Sequence, residues 1–505
     1  MDGTDIVDSP AWWFVRLEAG FLARKPVSWR PKDTDPDPAA NDTRADRLER
    51  LWAYFVGRAP LPEVAAGYTE VFRAVMRKAR SNYAEMCVAA MLHRMKLSSV
   101  ATGVDSTGDD DLFAEIAEVS NWEAMVSDLF TYLFVMSETY GMVVKSNNGA
   151  PPMITAMDPR TCIGDINPDN PQVLRAALVR SFDDTFGVER RVLFLPGRAY
   201  HAKRDSIGAF GQAVIGNWDW DPQRGGDQGE DVPDIDAWGG IPIVRIDNAK
   251  GLGEFEPHLD LLDRINDTTL QRIVITWYQS FRQRAVEGDL EGDTDDAEPM
   301  TLEEFRNMFS ADPGALWKVP AGVKFWESQQ ADLGPLINAK RDDVKEFAAV
   351  TFTPLNLITP DAANQTAEGA SLVREGINHK VGDRRARVTP KLKMLLRMAF
   401  AMAGQPERGA KIKLNWGPLE NNSLADKGSA TSQVKGVLSL RNILIDIWGM
   451  TPQDAEDNIT QLSAEQLLAL TTALAGQSNQ PTQNGQPAQL DRRNGQPVAP
   501  EPAPA

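Results

Sequence analysis

The sequence contains 505 residues, a length that predicts two to four structural regions. Its 71 acidic residues outnumber its 53 Lys and Arg residues and give a formal net charge of −18. This charge excludes the overall basic surface that is typical of tight duplex-DNA binders, so any contact with nucleic acid must be local or weak. With 42% hydrophobic and 25% charged residues, wholesale disorder is also excluded.

The sequence lacks the usual signatures of enzymes and of cofactor sites. A phosphate-binding Gly-rich loop, a dinucleotide fingerprint, an HExxH motif and a GxSxG elbow are missing, and the four histidines are scattered. The two cysteines, Cys87 and Cys162, lie far apart without a CxxC motif, which argues against a disulfide scaffold and a structural zinc site. We therefore predict no enzymatic activity, no cofactor, no metal, and two reduced, buried cysteines.

Hydropathy predicts no membrane segment. The apolar stretch 11–23 is interrupted by Arg16 and Glu18, and no cationic segment precedes it, so it is typical neither of a signal peptide nor of a membrane span. No other uncharged run approaches about eighteen residues, the length that a spanning helix needs. The sequence therefore predicts a protein that makes no membrane contact and folds in a reducing cytoplasm.

The first half of the chain changes from helical to strand-like spacing. A linker rich in Asp and Pro at 31–48 separates a Trp-rich N-terminal segment from the first helical region. Apolar residues then recur at helical spacing as far as Tyr140, a period near two follows, and the Gly-rich stretch 216–240 predicts a long loop. These patterns predict helices at 45–56, 82–95 and 112–140 and strands at 142–145, 173–182, 190–194 and 241–246.

Two long helices with a small excursion between them come next. Residues 254–284 contain no Gly and a single Pro in the first turn, and their apolar spacing predicts a helix about 45 Å long. An acidic run at 287–298 is typical of a solvated loop, and 315–319 with 323–326 predicts a hairpin. A second long helix is predicted at 333–351.

A loop that contains Pro354 and Pro360 separates this helix from a basic one at 366–388. The cations of the basic helix either form a solvated face that pairs with acidic neighbours in an assembly or contact phosphate. Pro390 predicts a break or kink before the helix resumes to residue 402. The remaining patterns predict, in order, a strand at 411–416, helices at 425–447 and 452–475, and a disordered tail at 476–505.

The acidic run offers an alternative function. Its seven carboxylates in twelve positions could serve a metal-dependent nuclease or similar hydrolase. As a calcium loop starting at Asp289, however, it has Thr294 where Gly is required and Met300 where a bidentate Glu belongs. The run also lacks a His or basic partner, which argues against catalysis. A monomeric scaffold module that only binds partners is a third possibility.

Several short segments together carry a family resemblance: 51–57 (LWAYFVG), 82–94 (NYAEMCVAAMLHR), 314–326 (GALWKVPAGVKFW), 347–354 (FAAVTFTP) and 364–372 (NQTAEGASL). Their order along the chain is long helix, small excursion, helix, Pro loop and kinked helix. With this order they resemble the portal proteins of tailed bacteriophages of the long-tailed, siphovirus type. The resemblance covers about residues 45–475.

The resemblance implies an α+β, mainly helical ring subunit with a wing, a long-helix stem, a small α/β clip, a kinked tunnel helix and a helical crown. The implied boundaries are an N-terminal segment and linker at 1–44, a wing at 45–250, stem helices at 251–284 and 333–351, a clip at 285–332, a tunnel loop at 352–365, the kinked tunnel helix at 366–403, a wing return and crown at 404–475, and the tail at 476–505.

The resemblance also implies a function and partners. Portal proteins of this family form a homododecamer at one capsid vertex, located in the virion after assembly in the host cytoplasm. The terminase large subunit drives double-stranded DNA through the ring, and the genome later leaves through it into the tail. A head-completion adaptor, the major capsid protein and scaffolding proteins are further implied partners. Contact with DNA would be transient and independent of sequence.

Three sets of residues follow as candidates. A sliding duplex favours few cationic contacts, because each neutralised phosphate adds affinity through released counterions. The tunnel loop is therefore expected to present mainly uncharged side chains to DNA: Phe352, Thr353, Leu355, Asn356 and Thr359. The channel-side basic candidates are Arg374, Lys380, Arg384 and Arg385. The clip candidates for partner binding are Trp317 and Trp326 as aromatic anchors and Asp293 and Asp295 as steering charges.

Overall fold

The computed structural model describes residues 4–23, 43–61, 69–103, 110–146, 149–205, 217–232, 234–280, 284–287, 324–327, 331–358, 367–419, 424–450 and 452–478. The helices are α1 Pro10–Gly20, α2 Arg44–Phe55, α3 Thr69–Ala79, α4 Tyr83–Leu92, α5 Asp111–Ser120, α6 Trp122–Met136, α7 Leu259–Ser280, α8 Gly334–Thr351, α9 Leu355–Ile358, α10 Ala367–Met402, α11 Leu424–Val434, α12 Leu440–Asn442 and α13 Pro452–Ser478.

The strands are β1 Leu97–Ala101, β2 Glu138–Val144, β3 Met153–Met157, β4 Cys162–Ile166, β5 Leu174–Asp183, β6 Val188–Leu195, β7 Arg198–Asp205, β8 Asp219–Trp220, β9 Glu230–Asp231, β10 Ile243–Asp247, β11 Arg284–Glu287, β12 Lys324–Glu327 and β13 Lys413–Trp416. In the described part of the chain they form four antiparallel sheets: β10-β2-β3, β4-β5-β6-β7-β8 with β9 on β7, β1-β13 and β11-β12.

The main core packs α2, α4, α5, α6 and the second half of α10 with the β10-β2-β3 sheet, and α7 and α8 add residues to it. Helix α2 begins with a capping box in which Thr43 and Asp46 bond to each other's backbone N–H groups. The sequence predicted one helix over 112–140, but Asn121 adopts a left-handed conformation between α5 and α6, and the chain turns into β2 after Ser137. Apolar residues that continue through a turn cannot be separated by periodicity alone, so the prediction ran too far.

The N-terminal segment is a helix that covers a sheet. The aromatic residues Trp13 and Phe14 of α1 pack with Leu178 and Leu193, which lie on β5 and β6. Glu18 on the same helix pairs with Arg180 at 2.9 Å. The Trp-rich segment, to which the sequence assigned no role, therefore closes the open face of the six-stranded sheet. Part of the predicted 216–240 loop joins this sheet as the short strands β8 and β9.

The long helices α7 and α8 pack on each other, and Arg264 on α7 pairs with Asp343 (2.9 Å) and Glu346 (2.5 Å) on α8. The predicted helix 254–284 is shorter in the structure. A 3₁₀ turn at Glu256–His258 precedes α7, and Arg284–Glu287 is strand β11.

Strand β12 pairs with β11, with Trp326 opposite Ala285. The sequence had predicted a hairpin between 315–319 and 323–326. The 315–319 half lies outside the described residues. The observed partner of the second half is β11, which begins at the last residue of the predicted helix 254–284 and ends at the first residue of the acidic run 287–298. Local patterns identified the strand at 323–326 but not this long-range pairing, which connects the two ends of the excursion.

Helix α10 is continuous from Ala367 to Met402, with Pro390 inside it, so the predicted break is absent. The alternative, a kink at Pro390, stays a prediction. The second half of α10 is buried against the β10-β2-β3 sheet. Gly141 of β2 permits the close approach, because a Cβ there would lie 2.4 Å from Leu395 Cδ1. Packing of this kind offsets the roughly 3 kcal/mol that a helix-interior proline costs.

The C-terminal part differs from its prediction in two places. Helix α13 continues to Ser478 and so includes the first three residues of the predicted disordered tail 476–505, of which the rest lies outside the described residues. The predicted helix 425–447 is divided into α11, α12 and a π-helical turn at Ile443–Ile447, and Gly436 adopts a positive φ of 90° between the first two. Helix α13 follows and packs on α12 and on the π-helical turn. In the described ranges, no helix is both long and apolar enough to cross a membrane.

Candidate channel segment

The connection from α8 to α10 begins with an aromatic residue in a left-handed conformation. The Phe352 N–H donates to the Ala349 carbonyl at 3.3 Å, and the Thr353 N–H donates to the Ala348 carbonyl at 2.8 Å. This pair of bonds is a Schellman helix end, where Gly usually occupies the left-handed position. Phe352 has φ 58° there, a conformation that costs a non-Gly residue about 1–2 kcal/mol. The structure therefore holds this residue in place with other contacts.

The Phe352 ring lies against α10 and is 54% exposed. A Cβ at Gly376 of α10 would lie 2.8 Å from its Cδ1 atom, so the ring occupies the space that a glycine leaves. This position is compatible with the expected exposure of Phe352. The other expected loop residues have different positions: Leu355 is half-buried in α9, Asn356 is also in α9, and Thr359 lies outside the described residues.

Thr353 is buried, in contrast to the expectation that it faces DNA. The Thr351 hydroxyl donates to the Phe347 carbonyl at 2.7 Å, and the Thr351 and Thr353 Oγ1 atoms are 2.8 Å apart. Since the Thr351 proton is already used, Thr353 is the donor in this pair. Both threonines therefore anchor the start of the connection instead of presenting polar groups outward.

The completely buried Cys87 of α4 lies beside these two hydroxyl groups. Burial raises the pKa of its thiol, although Lys380 and the threonine hydroxyls act in the opposite direction. The expectation of a reduced, buried cysteine matches this position.

Two of the basic candidates on α10 point into the protein. Lys380 Nζ lies 2.8 Å from Glu254 and donates to the Thr351 carbonyl at 2.9 Å, and Arg384 Nε lies 2.7 Å from the same carboxylate. Burial would raise the pKa of Glu254, whose side chain is 2% exposed, but the charges and hydrogen bonds of Lys380 and Arg384 outweigh burial and lower it. Lys380, Glu254 and Arg384, together with Thr351, are called the buried ion cluster below.

Arg385 also has its partners within the chain. Its guanidinium lies 5.3 Å from the centroid of the Trp416 ring and donates to the Arg94 carbonyl. Burial lowers the pKa of Arg385 to about 10, so it remains a cation at neutral pH. Arg374 is half-buried near the start of α10. The sequence had offered a solvated face or a phosphate collar, whereas in the structure Lys380, Arg384 and Arg385 bind groups of their own chain.

Glu254 and the groups that support it were not among the residues predicted from the sequence. The Glu254 N–H donates to the Phe134 carbonyl at 2.7 Å, and the Asn248 side-chain amide donates to Glu254 Oε1 at 2.9 Å. A single Glu before a helix has no distinguishing local pattern, and its two cations lie about 130 positions further along the chain. The role of Gly376 could not be predicted from the sequence either, because a side chain is excluded at this position only by the Phe352 ring that packs on it.

The clip candidates are mostly outside the described residues. Trp326 lies in β12, and Trp317, Asp293 and Asp295 fall in the undescribed range 288–323. Among the residues that the structure does describe, no group of three or more His, Cys, Asp or Glu side chains could hold a metal ion.

A family model described as "Phage portal protein, SPP1 Gp6-like" matches residues 35–467. No curated protein matches the chain. Three similar solved structures come from gene transfer agent (GTA) particles, and each match covers 99% of the other chain. They are the neck of the native particle computed with C12 symmetry (12% identity, 80% of this chain, TM-score 0.37), the neck of the empty particle computed with C6 symmetry (13%, 80%, 0.40) and the virion of the native particle (14%, 87%, 0.39).

Proposed function

Because the chain belongs to the SPP1 Gp6-like family of phage portal proteins, we propose that it forms the dodecameric ring at one capsid vertex of a virion. Double-stranded DNA enters through this ring during packaging by a terminase motor and leaves through it into the tail. The subunit acts as a conduit without catalytic chemistry of its own. The observation that carries the proposal is the family match, which extends over most of the chain.

We assign the helices and strands to the regions of a portal subunit in the order in which they follow along the chain. The N-terminal helix and the sheets up to Asp247 form the wing, α7 and α8 form the stem, and the β11-β12 pair belongs to the clip. The segment after Thr351 is the tunnel loop, α10 is the tunnel helix, and α11 to α13 form the crown. The packing of α7 on α8 supports the assignment of the stem.

The charge of the chain supports a channel in which DNA slides. A net charge of −18 per copy opposes tight binding to the phosphates of DNA. When fewer cations are exposed, fewer counterions are released from the DNA on contact, so the ring holds the duplex more weakly. Lys380 and Arg384 are neutralised by Glu254 inside the subunit. Their burial leaves fewer cations available to hold the duplex at this level of the ring.

Contacts between subunits and with partners are assigned to other surfaces. The described part of α13 carries Asp and Glu but no Lys or Arg, and it exposes Leu462, Leu467 and Leu470, which we assign to contacts with a neighbouring copy. The clip binds the terminase large subunit and then a head-completion adaptor, through Trp317, Trp326, Asp293 and Asp295. The wing meets the major capsid and scaffolding proteins.

Native mass spectrometry of the purified full-length chain tests the proposal. We expect an assembly of about twelve copies of the 55.6 kDa chain, and negative-stain images should show rings with a central hole. A stable monomer would favour a scaffold module, and Mg²⁺-dependent cleavage of DNA would favour a nuclease. Either result would contradict the proposed conduit.

A DNA-packaging assay with Asn356→Lys tests the role of the tunnel loop. A new cation beside the duplex would add phosphate contacts in every subunit of the ring, so packaging should slow or stall. Asn356→Gln is the control, because it lengthens the side chain without adding charge. Normal packaging by the lysine variant would exclude contact between this segment and DNA.

A further inference from the structure

The start of the tunnel loop is attached to α10 by two contacts on one face of that helix. The Phe352 ring packs over Gly376, and Lys380 donates to the Thr351 carbonyl at 2.9 Å. Gly376 and Lys380 are four residues apart and therefore lie on the same side of α10, one turn from each other. The last residue of α8 and the first residue of the loop are thus held against a single surface.

The Lys380 contact satisfies a group that a helix end leaves open. The last carbonyls of an α-helix have no partner inside the helix and carry partial negative charge, so a cation is favoured there. At the end of α8 that cation comes from a different helix. The bond consequently links the two helices, whereas a lysine on α8 itself would only cap its own end.

Glu254 fixes the position of Lys380. Its carboxylate lies 2.8 Å from Lys380 Nζ and 2.7 Å from Arg384 Nε, and the Asn248 amide donates to it at 2.9 Å. The Glu254 N–H is bonded to the Phe134 carbonyl at the end of α6. Because Glu254 is held on several sides, the ammonium group beside it has little freedom to move away from Thr351.

From these contacts we propose that Lys380, held by Glu254, is a positioning residue that fixes residues 352–358 relative to α10 and to the end of β10. The charge that sequence analysis assigned to the channel is used inside the subunit to orient the loop. What the loop then touches depends on the proposed function, but the positioning itself does not.

Hydrogen–deuterium exchange of the full-length chain, in the assembly that it forms, tests the proposal. Lys380→Met keeps the aliphatic stem and removes the donor, while Glu254 retains Arg384 and Asn248. Exchange at the Phe352 and Thr353 amides should accelerate about ten- to hundredfold, the effect of losing one hydrogen bond to a charged group. Lys380→Arg keeps the cation and should restore part of the protection.

Lys391→Met is the matched control. Lys391 lies on the same helix and also donates to a backbone carbonyl, that of Gln172 at 3.0 Å, but it is remote from the loop. Its replacement should leave exchange at 352–353 unchanged. Equal exchange at these two amides in the Lys380→Met and Lys391→Met variants would overturn the proposal.

A second pair of variants covers the case in which Lys380→Met does not fold. Glu254→Gln removes the charge that holds Lys380, whereas Glu256→Gln weakens a different buried pair, with Arg47 at 2.6 Å. We expect faster exchange at 352–353 in the first variant only, and equal exchange in both would reject the proposal.

The positioning and the proposed function can fail separately. If packaging responds to Asn356→Lys but exchange does not respond to Lys380→Met, the positioning fails while the channel function stands. If Lys380→Met alters exchange at 352–353 but packaging is normal in both the Asn356→Lys and the Lys380→Met variants, the positioning stands while the channel function fails.

Discussion

Helices α10 and α13 are the two longest of the described helices, and they differ in how far their apolar side chains are buried within the subunit. The second half of α10 is buried in the main core, and its cations Lys380 and Arg384 have an acidic partner within the chain. Helix α13 contacts α12 and the π-helical turn through its start, and Leu467 further along is 67% exposed. One helix is covered within its own subunit, whereas the other exposes apolar side chains, which we propose that a second copy covers.

The largest expected effect is on α10. Phe400 is fully buried, and Phe400→Ala should lower the free energy of unfolding by about 3–5 kcal/mol, through lost burial and a residual cavity. Leu467→Ala on α13 should change it by less than about 0.5 kcal/mol, because the side chain is already exposed in the subunit. Urea denaturation of the dissociated subunit measures both values. Similar losses in the two variants would mean that α13 is buried in the single subunit.

A charge on α13 should weaken assembly of the ring more than it weakens folding of the single subunit. Leu467→Asp would place a carboxylate in an apolar contact between copies, where an unpaired charge is strongly unfavourable. We expect the subunit to fold normally but the ring to dissociate at concentrations where the parent chain is assembled, as measured by sedimentation velocity. Asn458→Asp is the control for added charge, because Asn458 is exposed and lies nine residues before Leu467, on the opposite side of the helix. A stable ring of the Leu467 variant would remove this surface from the assembly.

Acidification should weaken the buried ion cluster. The pKa of Glu254 is lowered from an ordinary value of 4.5 in the folded protein, so the unfolded chain binds the proton more readily. The stability that this group contributes is present above pH 4.5 and is lost as the pH falls through the lower, folded pKa. Thermal unfolding should show a shallower decline below pH 4.5 for Glu254→Gln than for the parent chain. Parallel declines would contradict the pairing.

The smallest effect concerns the cysteines. Burial raises the pKa of both Cys87 and Cys162, and only the thiolate is a good nucleophile. Iodoacetamide at pH 8 should therefore leave the native chain unmodified, while the urea-unfolded chain gains two adducts by mass spectrometry. Rapid labelling of Cys87 in the native chain would indicate opening of the core beside Thr351 and Thr353.

Element type was predictable where local pattern and packing agree. The predicted helix 333–351 agrees with the observed α8 to within one residue. The agreement is close because Pro335 favours the first turn of a helix and the apolar spacing continues to the buried Phe347. The predicted helix 112–140 was wrong at its end, since the turn at Ser137 interrupts an apolar run that has no Gly or Pro to mark it. The sequence pattern likewise contained no sign of the strands β4 and β7, which are stabilised by their neighbours in the sheet.

Composition and periodicity were sufficient to indicate a mixed α and β chain with long helices and an acidic net charge, because these properties depend on residue types and on local spacing. The likeness to portal proteins came from the quoted segments and their order along the chain. The direction in which Lys380 and Arg384 point, the burial of Thr353 and the pairing of β11 with β12 depended on the tertiary structure. Each of them requires a segment far away in the sequence: Glu254 for the two cations, the α4 residue Cys87 beside Thr353, and β11 for β12. A charged or polar side chain turns inward only when folding surrounds it with groups that satisfy it.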